Sequence, residues 1–210
     1  MRDKYKGSAP LLALGVIFIT MVVAVIAMAA TKNKEINIVD LPENITGLKA
    51  ETKAHPRLQQ LIINYYDIQK EDYKKTRYFY NFVDLNSDGN KEIFVVIMNP
   101  FTSGTNRNKA LWVFENDGEL EVRQEFTLVS TPIIISNNIT KGVRDLIFSY
   151  HDEGTNPKYS VLACNGGHFP LISNGKMLDS LDGVVGEAII ANDIIAETAA
   201  GNLGLTLDAN

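Results

Sequence analysis

Between Val83 and Val96 the chain reads VDLNSDGNKEIFVV, which places Asp84, Asn86, Asp88 and Glu92 within nine residues of one another, directly before an apolar run. Three carboxylates this close repel one another unless something positive sits between them. Oxygen-bearing side chains at alternate positions, followed by a glycine and a backbone carbonyl, are the pattern with which a loop surrounds a hard cation. Calcium takes about six to eight oxygens at roughly 2.3–2.6 Å. With Asp84 as position one, Asn86 and Asp88 fall at three and five, Gly89 at six, Asn90 offers its carbonyl at seven and Glu92 stands at nine. Asp84, Asn86, Asp88, Asn90 and Glu92 are therefore the candidate metal ligands, and calcium is the expected ion. The competing account is a polar hairpin held by Asx side-chain bonds and the Asp88–Gly89 turn.

An EF-hand would need a bidentate Glu at position twelve and a helix on either side. Val95 occupies that position here and both flanks read as strands. The loop instead resembles the Asp-x-Asp/Asn-x-Asp-Gly-x-x-Asp/Glu loop of FG-GAP (integrin α-type) calcium hairpins, with Asn86 and Glu92 as acceptable variants. A wider resemblance covers roughly Tyr78 to Pro170, through YFYNFVDLNSDGNKEIFVVI, LWVFENDGELEV, GVRDLIF and YSVLACNGGHFPL. These phrases are similar to small exported bacterial proteins, many of them lipoproteins, that carry a lone calcium-type loop and have no established activity. In that group the loop after the second strand often holds a Cys-containing, Gly-rich segment, where this chain has NPFTSGTNRNKA. The resemblance implies bacterial export and a calcium-type loop, and it supplies no catalytic residues.

Other reactive side chains point to no enzyme. His55, His151 and His168 are scattered, and the chain has no nucleophile elbow, phosphate-cradling glycine loop or zinc motif. His151, Asp152 and Glu153 read as a charged hairpin tip, and His168 follows a glycine turn. Cys164 is the only cysteine, which excludes an internal disulfide. In the strand-like YSVLAC it reads as a packed thiol.

The elements that must hold the loop follow from periodicity. Pro56 opens PRLQQLIINYYDIQKED, where Leu58, Leu61, Ile62, Tyr65 and Ile68 recur near helical spacing, so one amphipathic helix is expected. From Tyr78 the period becomes that of strands. RYFYNFV enters the acidic loop and EIFVVIM leaves it; the latter lacks alternation and reads as a central strand covered on both faces. ALWVFE and LEVRQEFTLV are separated by Asn116-Asp117-Gly118, a hairpin signal. In the second, Leu120, Val122, Phe126 and Leu128 alternate with polar residues, which predicts one buried face. PIIIS, RDLIFSY and YSVLAC continue the series, and a tail helix is expected around residues 186–198. The fold class is α+β, mainly β: an antiparallel β meander with one packed N-terminal helix, preceded by a transmembrane helix.

That preceding segment is LLALGVIFITMVVAVIAMAA, from Leu11 to Ala30, free of charged residues. At ~1.5 Å per residue it would span ~30 Å, about one bilayer core. The chain therefore divides into a cytoplasmic N-terminus (1–10), a transmembrane anchor or signal segment (11–31), a linker (32–54) and an extracytoplasmic β-rich domain (55–210). An uncleaved single-pass anchor is favoured by the length of the run, and secretion after cleavage near Ala27-Met28-Ala29 is the alternative. The net charge is −5, and residues 32–210 carry −7. No basic footprint is concentrated there, which disfavours nucleic acid as a partner.

The function expected from these features is a membrane-anchored, extracytoplasmic calcium-binding interaction module of the bacterial cell envelope, non-enzymatic. Its partners would be the membrane through residues 11–30 and an envelope protein or wall polymer. A cell-wall hydrolase or hydrolase inhibitor, and a structural accessory subunit of a membrane complex, are the alternatives.

Overall fold

The computed structural model describes residues 38–99, 108–150, 158–202 and 204–208. The expected anchor lies outside them; among the described residues no helix is long and apolar enough to cross a membrane.

The described residues are mainly β, in two sheets with few helices. A five-stranded antiparallel sheet, in the order β11-β2-β3-β4-β5, contains β2 (Arg77–Val83), β3 (Glu92–Met98), β4 (Asn108–Asn116), β5 (Glu119–Val129) and β11 (Leu205–Thr206). A six-stranded sheet, in the order β1-β10-β6-β7-β8-β9, contains β1 (Ile45–Gly47), β6 (Ile133–Thr140), β7 (Val143–Tyr150), β8 (Lys158–Leu162), β9 (Lys176–Leu178) and β10 (Gly186–Ile189). Each sheet holds a run of consecutive antiparallel strands, so the single meander read from sequence is two meanders. The break falls at Ser130–Pro132 between β5 and β6, where alternation tells which residues are buried but not which sheet they join.

β3 explains the layering. Phe94 and Val96 enter the core between the sheets, together with Phe79, Trp112 and Phe126 from one side and Ile135, Phe148 and Leu162 from the other. Ile93, Val95 and Ile97 face the opposite way and pack under helix α1 (Pro56–Tyr66) through Leu58 and Ile62. The first six of the seven residues of β3, 92–97, are all buried, as the unbroken apolar run requires of a strand covered on both faces. The helix starts where expected: His55 is its N-cap, with Nδ1 accepting the Leu58 N–H at 3.1 Å, and Pro56 occupies the first turn. Asp117 and Gly118 both have positive φ and close the two-residue β4–β5 turn that their sequence announces.

Three expectations are corrected. Residues 38–50, read as linker, belong to the domain: β1 pairs in parallel with β10, Ile45 and Ala50 are buried, and Asn192 Oδ1 accepts the Ala50 N–H at 2.7 Å. A three-residue strand in a polar, turn-rich stretch is too short to show a period. The expected tail helix begins only at Ile194, as α2 (Ile194–Ala199), because Gly186–Ile189 form β10. A Cβ on Gly186 would lie 2.2 Å from the Ile135 carbonyl oxygen, so the glycine marks close strand approach, not a weak helix. The alternation in β5 does not bury one face. A β-bulge at the Trp112/Val113 register shift reverses its parity, so that Leu120 and Val122 pack on the helix side while Phe126 enters the inter-sheet core. Leu128 is left exposed.

Candidate metal centre

The acidic loop, residues 84–91, is the β2–β3 hairpin connection, closed by the Val83–Glu92 pair. One apolar residue fixes it: Leu85 is fully buried in the inter-sheet core, and its carbonyl accepts the Arg144 N–H of β7 at 2.7 Å. The loop therefore rests on both sheets.

Four of the five sequence-predicted ligands lie on this loop and the fifth, Glu92, opens β3 directly after it, but their carboxylates do not converge. Asp84 Oδ2 accepts the Gly89 N–H at 3.0 Å. Asp88 Oδ1 accepts the Asn90 N–H at 2.7 Å, and its Oδ2 accepts the Asn86 side-chain amide at 2.8 Å. Asn86 Oδ1 takes the Asp88 N–H at 3.0 Å, and Glu92 Oε2 takes the Leu85 N–H at 3.0 Å. Ser87 and Gly89 supply the positive-φ positions that turn the chain back. Among the described residues, no three His, Cys, Asp or Glu side chains are grouped to hold a metal ion together.

The electrostatics leave the loop short of positive charge. None of Asp84, Asp88 and Glu92 forms an ion pair among the described residues. Glu92 is 9% exposed. Its burial pushes the carboxyl above the ordinary glutamate value, and the Asp84 and Asp88 charges push the same way against the Leu85 N–H bond. Asp88 is solvent-exposed and is held below the ordinary range by the Asn90 N–H and the Asn86 amide. Asp84 Oδ1 is buried and has no hydrogen-bond partner. Together with the oxygen-only donor set, that orphaned acceptor fits a hard cation better than it fits a hairpin satisfied by its own amides.

A cleft of about 670 Å³ opens beside the loop, lined by Asn86, Asp88 and Glu92 and by Trp112, Phe114 and Arg123 of the neighbouring strands. The β5 bulge brings the Arg123 guanidinium over the Trp112 and Phe114 rings, 5.7 and 5.8 Å from their centroids, with Nε donating to the Gly167 carbonyl at 3.2 Å. Sequence reading missed this wall, because a bulge carries no reliable sequence mark.

The remaining candidates have structural places. His55 caps α1, Cys164 is buried as a free thiol, and His168 is exposed in the Asn165–His168 turn. His151, Asp152 and Glu153 lie outside the described residues. No known protein family, curated protein or solved structure matches this chain.

Proposed function

We propose that the chain is a membrane-anchored, extracytoplasmic module of a bacterial cell envelope whose β2–β3 loop holds one calcium ion, and that its task is interaction and not catalysis. The observation that carries this reading is Asp84 Oδ1, a buried and unpartnered acceptor in a loop of three carboxylates without an ion pair. The ion would be held by Asp84, Asn86, Asp88, the Asn90 carbonyl and Glu92. When bound, calcium supplies fixed positive charge.

The chain's own part follows from the loop's anchorage. Leu85 and its bond to Arg144 tie the loop to both sheets, so neutralising the loop stiffens the end of the sandwich that carries Trp112, Phe114 and Arg123. A stiffened surface binds with less ordering entropy, which suits a module that recognises an envelope protein or wall polymer. Export and anchorage rest on the apolar run of residues 11–30 and on the resemblance to exported bacterial proteins.

Calorimetric titration of calcium into the full-length protein in detergent micelles tests the reading. One site per chain, lost in Asp88→Ala, is expected; no heat above the variant's would overturn the metal assignment.

A further inference from the structure

On the far side of the six-stranded sheet, Asp145 of β7 is 7% exposed and Oδ1 is buried without a partner. The described residues give its carboxylate neither a hydrogen bond nor an ion pair. The adjacent Arg144 does not serve it. That guanidinium is spent on the Ser136 and Ile135 carbonyls, the Asn137 side chain and Glu187.

The register explains how a carboxylate came to be stranded there. Ile135 pairs with Leu146 and Ile139 with Arg144, so residues 136–138 of β6 bulge opposite Asp145 alone. The bulge opens a cavity of about 300 Å³, which Asp145 lines with Ser136, Asn138, Asp182 and Lys176, over a floor that includes Ile147 and Val161. This volume is several times that of a single water, at the lower end of small-molecule sites. Asp145 Oδ1 is thus an acceptor without a donor at the wall of a cavity with room for one. Asp182 adds a second acidic group, although its Oδ2 already accepts the Ser180 hydroxyl at 2.8 Å. Lys176 is exposed and forms no ion pair among the described residues.

We propose that this cavity is a binding site for a small zwitterionic α-amino acid, whose ammonium group pairs with Asp145, whose carboxylate meets Lys176 and whose side chain lies on Ile147 and Val161. The chemistry is one of charge position: an acidic group buried inside, a basic group exposed, and apolar surface between. No covalent step is involved, and the site is separate from the acidic loop.

The test is calorimetric titration of alanine, leucine, alaninamide, leucinamide and propionate into the full-length protein in detergent micelles. Chelator is present throughout, so the outcome does not depend on calcium. Alanine or leucine should bind, the matching amide should bind through its ammonium group, and propionate should not. Asp145→Asn, which keeps the shape and removes the charge, should weaken the amino acid by about tenfold or more, as loss of one charge-assisted contact implies. Lys176→Gln should weaken the amino acid but leave the amide unchanged. Binding of none of the ammonium compounds, unchanged binding in Asp145→Asn, or propionate binding as well as alanine would overturn the proposal and leave Asp145 solvated by trapped water. Equal losses of amino acid and amide in Lys176→Gln would overturn the placement of the carboxylate.

Discussion

At the scale of the residue, Glu92 and Asp84 carry the conflict from which the metal reading grows. Glu92 has its carboxyl raised chiefly by burial, from an ordinary value of 4.5. The native state therefore holds this proton more tightly than the unfolded chain does. Its contribution to stability is complete below the unfolded value and is lost as pH rises through the raised native one. Without metal, urea midpoints taken from about pH 4 to about pH 7 should show this loss, and Glu92→Gln should flatten that limb. Calcium should flatten it as well, because a cation favours the ionised form. A wild-type limb indistinguishable from that of Glu92→Gln would show that burial does not penalise the charge. Asp88, lowered by its amide donors, acts in the opposite sense: its contribution is present above the unfolded value and fades as pH falls through the native one.

At the scale of the element, the two sides of β3 give separable tests. Leu58→Ala or Ile62→Ala removes a fully buried side chain of α1 from the outer face of the five-stranded sheet and should cost about 2–5 kcal/mol in urea unfolding. Two glycines should divide by mechanism. Gly186→Ala drives a Cβ into the Ile135 carbonyl and should destabilise by about 2–3 kcal/mol. Gly89→Ala meets no atom within 4 Å and is disfavoured only by its positive φ, so its loss should be about 1 kcal/mol. Equal losses at both positions would contradict the close packing of β10 on β6.

Much of this was legible beforehand. Asp84, Asn86, Asp88, Gly89 and Glu92 announce a loop because their spacing is local, and Asp117-Gly118 announces its turn for the same reason. What stayed hidden depends on partners distant in sequence. The bulge that sends Phe126 and Leu120 to opposite faces shows only when β5 is laid beside β4. The place of Ile45 shows only when β1 meets β10, and nothing in VRDLIFSY says that Asp145 faces a bulge.

At the scale of the whole molecule, the sheets share one core through Phe94, Phe126 and Phe148, with the first and third rings each 5.4 Å from the Phe126 ring. The lone thiol lies in that core, with Cys164 2% exposed. A thiol reagent should therefore label Cys164 only through opening of the domain, and labelling in native buffer should be slow and accelerate with urea. Labelling at the rate of a free thiol would place Cys164 outside the core.

The central claim is that the β2–β3 loop binds calcium in the native state alone. It is tested most directly by thermal melts of the full-length protein in detergent with calcium, magnesium or chelator, with Asp84→Ala, Asp88→Ala and Asp179→Ala beside the parent. A calcium-selective rise is expected, worth ~2.7 kcal/mol at a hundredfold excess over the dissociation constant. It should vanish in Asp84→Ala and Asp88→Ala and persist in Asp179→Ala, whose side chain is 91% exposed beside Lys158 of β8. A melt that calcium does not move, or a rise equally weakened by all three substitutions, would contradict the claim and return residues 84–91 to a hairpin held by its own amides.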